Sequence, residues 1–318
     1  MKKLLLCLLV LTLVFGTFAA CGGGDSGGDA GGGDAAFRIG FAQCNLNDTF
    51  QTFVTDAARA KAAELGFSID VTDAREDVVA QLDQVLAMIE QGVDAIMVVP
   101  VDTSATDPIT EAVTAAGIPL VYVNRNPFGE GSLPAGVYYV GSQEIVAGEL
   151  QGEYLAELLD GEGGVAILMG ILANEGAIKR TEGNVNVLSQ HPGIEILAQE
   201  TGEWQYDRGM AITENWLTAY GDKLNAILAN NDGMAIGALE ALREAGREDI
   251  IVMGVDAIPD AVQLVAEGRL HATVLQDAVG QGGGGVSIVA ELLGGGSPSS
   301  VRWIPFVLVY PGNVTDFM

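Results

Sequence analysis

Short apolar runs recur along this chain at 39–42, 68–71, 95–99, 120–123, 165–169, 194–197, 226–229, 250–255 and 273–275. Their hydrophobicity is continuous rather than alternating, which is what a parallel strand needs when both faces of its sheet are covered. Between the runs, apolar side chains return three and four residues apart. Phe50/Phe53/Val54/Ala57 and Val78/Leu82/Val85/Ile89 are examples, each giving a helix one stripe that meets a sheet. Gly66, Gly92 and Gly117 stand where left-handed C-caps would close three of these helices. Strand and helix alternating through short connections define a doubly wound α/β fold. The Gly- and Pro-rich segment 127–136 interrupts the rhythm near the expected join of two similar lobes.

The first residues are of another kind. Lys2-Lys3, an apolar stretch over 4–15 and Phe18-Ala19-Ala20-Cys21 have the layout of an export signal. The small pair before Cys21 resembles a bacterial lipobox, in which the cysteine receives a diacylglyceryl group and becomes the new N-terminus. Phe18 departs from the Leu usual in such boxes. The alternative is an uncleaved anchor, since residues 4–20 are at the lower limit for spanning a bilayer. Residues 1–20 are thus read as a lipoprotein signal peptide. Residues 21–36, almost wholly Gly, Asp, Ser and Ala after the cysteine, are read as a flexible tether. The body is expected outside the cytoplasm, anchored to the membrane by lipidated Cys21.

The 318 residues are 49 % hydrophobic and 18 % charged, enough apolar material for two lobes of ordinary size. The formal charge of −27 becomes −29 when Lys2 and Lys3 leave with the leader, and such a surface repels nucleic acid and anionic lipid. Cys7 leaves as well and Cys21 carries the lipid, so Cys44 has no disulfide partner in the mature chain. His191 and His271 are far apart in sequence and suggest neither a zinc site nor a histidine-based catalytic cluster.

Ligands of open parallel sheets sit beyond the carboxyl ends of the strands. The polar residues directly after the runs are therefore candidates: Asn45, Asn47 and Asp48; Asp102 and Thr103; Asn124 and Arg125; Asn230, Asn231 and Asp232; Asp256; Gln276 and Asp277. Helix capping is a competing explanation, above all for Asp48, Asp232 and Asp256. Arg125 and Gln276 are poor caps, and Asn124-Arg125-Asn126-Pro127 opens no obvious helix, so these positions favour a ligand.

Three segments carry a family resemblance: Ile227-Leu-Ala-Asn-Asn-Asp-Gly-Met-Ala-Ile-Gly-Ala-Leu-Glu-Ala-Leu242, Gly254-Val-Asp-Ala-Ile-Pro259 and Thr273-Val-Leu-Gln-Asp277. In order and spacing they resemble the bacterial galactose/glucose-binding and ribose-binding proteins of ABC transporters. Gly92-Val-Asp-Ala-Ile96, Gly117-Ile-Pro-Leu-Val121, Val123-Asn-Arg125 and Tyr138-Tyr-Val-Gly141 extend the likeness to the N-terminal half. The resemblance runs from about Arg38 to Val309 and implies the type I periplasmic-binding fold. In that fold two doubly wound parallel-sheet lobes, here 37–142 with 277–304 and 143–276 with 305–318, are joined by a three-stranded hinge and close on a sugar. It further implies a monomeric binding protein without cofactor that delivers its ligand to ABC permease subunits.

The resemblance also assigns roles by position. Asp48 and Phe50 look like the hydroxyl acceptor and one aromatic face. Asn124 matches galactose/glucose binders, while Arg125 is more like ribose binders. Arg180, opening Arg180-Thr-Glu-Gly183, resembles the arginine that reaches in from the second lobe. Asn231 and Asp256 match that lobe's asparagine and aspartate, and Gln276 stands where ribose binders carry Gln. Trp204 takes the second aromatic position if Trp216 is aligned without a gap; Tyr206 takes it if Asp207-Arg208 is aligned instead. Where galactose/glucose binders have a His and an Asp before the arginine, this chain has Asn174 and Gly176. The calcium loop is missing too, since Leu159-Asp-Gly-Glu-Gly-Gly164 offers only Asp160 and Glu162, too few for calcium. No metal is expected.

These residue types suit a polyol, whose hydroxyls both donate and accept. Carboxylates accept, Arg and amides donate, and aromatic rings take the apolar C–H faces. Asp48 and Asp256 with Arg125 and Arg180 would largely cancel in charge, fitting an uncharged hexose, pentose or inositol. Two other readings compete. Gly280-Gln-Gly-Gly-Gly-Gly285 formally fits a dinucleotide fingerprint, but a run this rich in glycine matches by chance, and no enzyme is expected. A sensory module presenting bound sugar to a membrane receptor or kinase would share the pocket and differ only on the outer surface.

Overall fold

The computed structural model describes residues 37–129 and 131–318; the proposed leader, the tether and Cys21 lie outside the described residues. The first sheet contains β1 (Arg38–Gln43), β2 (Ser68–Asp73), β3 (Ala95–Val98), β4 (Leu120–Val123), β5 (Val137–Gly141) and, from late in the chain, β11 (Val301–Trp303). Its order is β11-β5-β4-β3-β1-β2, parallel throughout. Helices α1 (Thr49–Glu64) and α9 (Ala278–Leu293) cover one face through Phe50, Val54, Val286 and Val289. Helices α2 (Val78–Glu90) and α3 (Asp107–Ala115) cover the other through Val85, Met88, Ile109 and Val113.

The second sheet has the order β7-β6-β8-β9. It consists of β6 (Glu162–Met169), β7 (Gly193–Thr201), β8 (Leu224–Ala229) and β9 (Ile251–Met253), also parallel. Helices α4 (Glu144–Leu158) and α5 (Glu175–Leu188) pack on one face through Leu155 and Leu188. Helices α6 (Tyr206–Tyr220), α7 (Asp232–Ala245) and α8 (Pro259–Ala266) pack on the other around Trp216, Met234 and Val262. Covering both faces of each sheet is what the continuous apolar runs demand, and it makes a two-lobed α/β molecule.

The chain passes between the lobes three times: at Ser142-Gln143 between β5 and α4, at Gln276-Asp277 before α9, and over 304–306 after β11. The Gly/Pro segment 127–136 links β4 to β5 inside the first sheet, so the first crossing comes one strand later. The run 273–275 forms β10 (Thr273–Leu275), which pairs antiparallel with β12 (Val307–Val309) and touches the second sheet only through isolated parallel bridges. Strands β5, β11 and β12 lie outside the apolar runs. The last two are three residues long and only partly buried, too short and too wet to leave a continuous signal.

Gly66, Gly92 and Gly117 do take left-handed backbone just beyond α1, α2 and α3. The glycines of 280–285 lie inside α9, not in a loop. A Cβ on Gly282 would come within 2.1 Å of the Val54 carbonyl oxygen in α1, so their smallness is a packing requirement.

Candidate functional site

The ends of strands from both lobes converge on one cavity. Ten of the residues to which the resemblance gives a place line it, whereas Asn45, Asn47, Asp102, Thr103, Asn230, Asp232, Asp277 and the alternative Tyr206 do not. Asp48, Phe50, Asn124 and Arg125 come from the first lobe; Asn174, Arg180, Trp204, Asn231, Asp256 and Gln276 come from the second lobe and the crossing that leaves it. Gln51, Glu144 and Gly176 complete the wall.

Arg180, on α5, is the best-anchored of these side chains. Its Nε donates to Glu144 Oε2 at 2.6 Å, one Nη to the Asn230 carbonyl at 2.6 Å and the other to Gln276 Oε1 at 2.9 Å. Asp256 Oδ1 lies 3.6 Å from the guanidinium, whose Cζ is 5.7 Å from the Trp204 ring centre. A buried arginine needs such company, because an isolated buried cation costs several kcal/mol.

Trp204 forms an aromatic wall. A Cβ on Gly170 would fall 2.1 Å from its ring atoms, so only glycine admits the indole at this depth. The indole Nε1–H donates to Asn174 Oδ1 at 2.9 Å, and the Asn174 amide donates to the Val101 carbonyl in the first lobe at 2.8 Å. Thr103 adds backbone and hydroxyl bonds to the Ala173 carbonyl, both 3.3 Å. Together these bonds close the lobes against each other beside the cavity. Tyr206 opens α6 at the wider outer mouth with Asn45, Asn47 and Glu203 and does not line the inner cavity.

In the first lobe, Arg125 donates to the Pro100 and Val101 carbonyls at 2.8 and 3.2 Å and has Glu76 at 3.8 Å. The Asn124 amide is pinned on both sides, accepting from Gln51 Nε2 at 2.8 Å and donating to Gln281 Oε1 at 3.0 Å. Asn124, Trp204 and Asp256 have φ of 66°, 66° and 122°. Non-glycine residues in such conformations cost about 1–3 kcal/mol each and cluster at functional sites.

Capping and cavity lining coincide at some positions and separate at others. Asp48 does both: it caps α1, with Oδ1 accepting from Gln51 N at 3.2 Å. Asn231, rather than Asp232, caps α7, accepting from Met234 N at 3.0 Å while its amide supports the Trp204 carbonyl at 3.2 Å. Asp232 is buried and bonded to Thr273 Oγ1 and Ile258 N. Asp256 caps nothing, since α8 starts at Pro259 behind Ile258. Asp277 caps α9 and Asp102 closes its own turn onto Ser104, so neither belongs to the cavity.

Burial governs the electrostatics. It raises the carboxyls of Asp48 and Asp256 above the usual range, Asp256 strongly, against the opposing pull of Arg125 at the first and Arg180 at the second. Glu175, beside the cavity wall at the start of α5, is pushed up to about 8 by burial and by Glu144. Burial likewise pushes the Cys44 thiol up to about 12, so this free cysteine is an inert part of the core. Among the described residues, no cluster of His, Cys, Asp or Glu is arranged to hold a metal ion.

Glu144 and Gln51 are the cavity residues that sequence reasoning missed. Gln51 had a signal. The stripe of α1 that is buried is Phe50/Gln51/Val54/Thr55/Ala58, one position round from the purely apolar one, and it places a glutamine on the inward face. Glu144 comes directly after the first crossing and had no apolar run to flag it.

A fold of two such lobes around a polar, aromatic-walled cleft defines a solute-binding protein. Residues 39–297 match the model of the periplasmic binding protein domain, and the chain belongs to that family. It is 40 % identical over 287 residues to the putative rhizopine-binding protein of Rhizobium meliloti, covering 89 % of this chain and 93 % of the relative. It is 33 % identical to the xylitol-binding protein of Mycolicibacterium smegmatis, covering 87 % and 76 %. The crystal structure of an ABC transporter solute-binding protein from Bacillus halodurans with bound myo-inositol superposes with a TM-score of 0.83 at 39 % identity, covering 90 % and 99 %. The expected type I periplasmic-binding fold and the sugar-binding family are thereby established.

Proposed function

We propose that this protein captures one monosaccharide-like polyol, a hexose, pentose or inositol, in the cavity between its lobes and delivers it to the permease subunits of an ABC importer. The observation that carries the reading is Asp256. Its carboxylate is buried at the cavity wall with Arg180 no closer than 3.6 Å, and among the described residues nothing donates a hydrogen bond to it. A buried carboxylate in that state calls for donors from a ligand, and a polyol brings several.

In this reading Asp48 and Asp256 accept from ligand hydroxyls on opposite sides, while Arg125, Arg180, Asn124, Asn174, Asn231 and Gln276 donate or set the donors in place. Phe50 and Trp204 take the C–H faces of the ring. The lobes divide as 37–142 with 277–304 and 143–276 with 305–318, and the protein works as a monomer that binds and releases without chemistry. Cys21 carries a lipid that holds it at the outer face of the membrane, with 21–36 as the leash. The relatives that bind polyols support this ligand class, and binding near micromolar corresponds to about −8 kcal/mol.

The test is a thermal-shift screen of residues 36–318 against hexoses, pentoses, inositols and disaccharides. A ligand at a hundred times its Kd adds about 2.7 kcal/mol, a shift of a few degrees. A hit among the monosaccharides or inositols is expected; silence across them overturns the ligand class.

A further inference from the structure

The side chain that grips Arg180 most closely, Glu144, is assigned no part in binding by the family resemblance, yet it occupies a distinctive place. It is the first residue of α4, directly after the first crossing between the lobes. It is buried, and both of its oxygens are used: Oε2 accepts from Arg180 Nε at 2.6 Å, and Oε1 faces Gln276 Nε2 at 3.4 Å. Gln276 sits at the second crossing and itself accepts from Arg180 at 2.9 Å. Phe306, at the third crossing, has its ring centre 5.8 Å from the guanidinium carbon. Residues at all three crossings therefore touch one arginine.

We infer that Glu144 is a positioning residue for binding: it fixes Arg180 to the crossings so that one Nη edge stays turned toward Asp256 and the cavity. The inference rests on the proposal that this cavity is the ligand site. An arginine has several nearly equal rotamers, and Asp256 at 3.6 Å is a second carboxylate competing for it. Without Glu144 the guanidinium turns onto Asp256, pairing with the carboxylate that the ligand needs. Anchoring Nε elsewhere keeps Asp256 short of donors until a polyol arrives, so the site is organised before ligand enters.

The test compares full-length wild type with Glu144→Gln, which keeps the shape and loses the charge, and Glu144→Asp, which keeps the charge and draws the carboxyl back by one methylene. In the ligand-free proteins, arginine Nε–H resonances are recorded by NMR and the Arg180 signal is identified by its loss in Arg180→Lys. The wild-type signal is expected to be protected from exchange, and to move and lose protection in both variants. An unmoved, protected signal in either overturns the inference without any ligand being needed. With myo-inositol as probe, affinity is expected to fall about tenfold or more in Glu144→Gln, alongside a lower ligand-free melting temperature. A lowered melting temperature with intact affinity makes Glu144 a purely structural residue and overturns the proposal. If wild type ignores myo-inositol, that arm counts against the ligand class and the resonance still decides the role of Glu144.

Discussion

The indole N–H of Trp204 and the amide of Asn174 are joined by a 2.9 Å hydrogen bond, and the same Asn174 reaches across the cleft to the Val101 carbonyl at 2.8 Å. One side chain thus ties the aromatic wall of the cavity to the closure of the lobes. A shift of the indole would therefore disturb the latch.

Gly170→Ala tests this coupling. Its Cβ would collide with the Trp204 ring, and overpacking of this kind costs about 1–3 kcal/mol. The ring is expected to leave its place, weakening ligand binding about tenfold or more and changing tryptophan fluorescence, with the fold retained by circular dichroism. Unchanged affinity would remove Trp204 from the binding wall.

Asn231→Ala removes the cap of α7 and the amide that supports the Trp204 backbone. Stability should fall by about 1 kcal/mol, the usual worth of an N-cap, and binding should be lost as well. Chemical denaturation and titration on the same samples separate the two effects. A stability loss with full affinity would make Asn231 a cap alone.

Glu175 gives binding a pH dependence of definite sign. Burial with Glu144 nearby raises its carboxyl from 4.5 to about 8, while the Asn126 backbone, Arg180 and Lys179 oppose the shift. A group whose value is raised in the folded, closed protein stabilises that form most below its ordinary value. The contribution of Glu175 is therefore fully present below 4.5 and is lost as pH rises through about 8. Titrations across this window should show weaker binding at the alkaline end in wild type and a flatter profile in Glu175→Gln. Affinity that rises with pH would contradict the assignment.

Much of this was legible in the residues. Continuous apolar runs mark strands covered on both faces, so the three-layered lobes and much of the cavity lining could be read from the runs and the polar residues at their carboxyl ends. Asp48, Arg125 and Gln276 illustrate this, each lying just beyond a strand and each on the cavity wall. The features that could not be read depend on distance in space. Asp232 and Asp256 looked like caps because local sequence cannot say that Asn231 takes the α7 cap or that α8 starts later, at Pro259. The glycine run 280–285 fitted a dinucleotide fingerprint only formally, and the partner that requires its smallness, the backbone of α1, is remote in sequence. Glu144 left no trace because an acid after a crossing is ordinary until Arg180 is seen against it.

Lipid attachment is tested at Cys21. Cys21→Ser should release a normal binder from the membrane fraction, and continued membrane association would favour an uncleaved anchor.

The most direct test of the account is calorimetric titration of Asp256→Asn beside wild type, using the polyol that shifts the wild-type melting point most. Asn tolerates the positive φ and carries no charge to bury, so the variant should be at least as stable as wild type. Wild type is expected to bind one equivalent near micromolar, and the variant to lose about tenfold or more, the scale of a charged hydrogen bond replaced by a neutral one. An equally stable variant that binds as tightly as wild type would place the ligand somewhere other than this cavity.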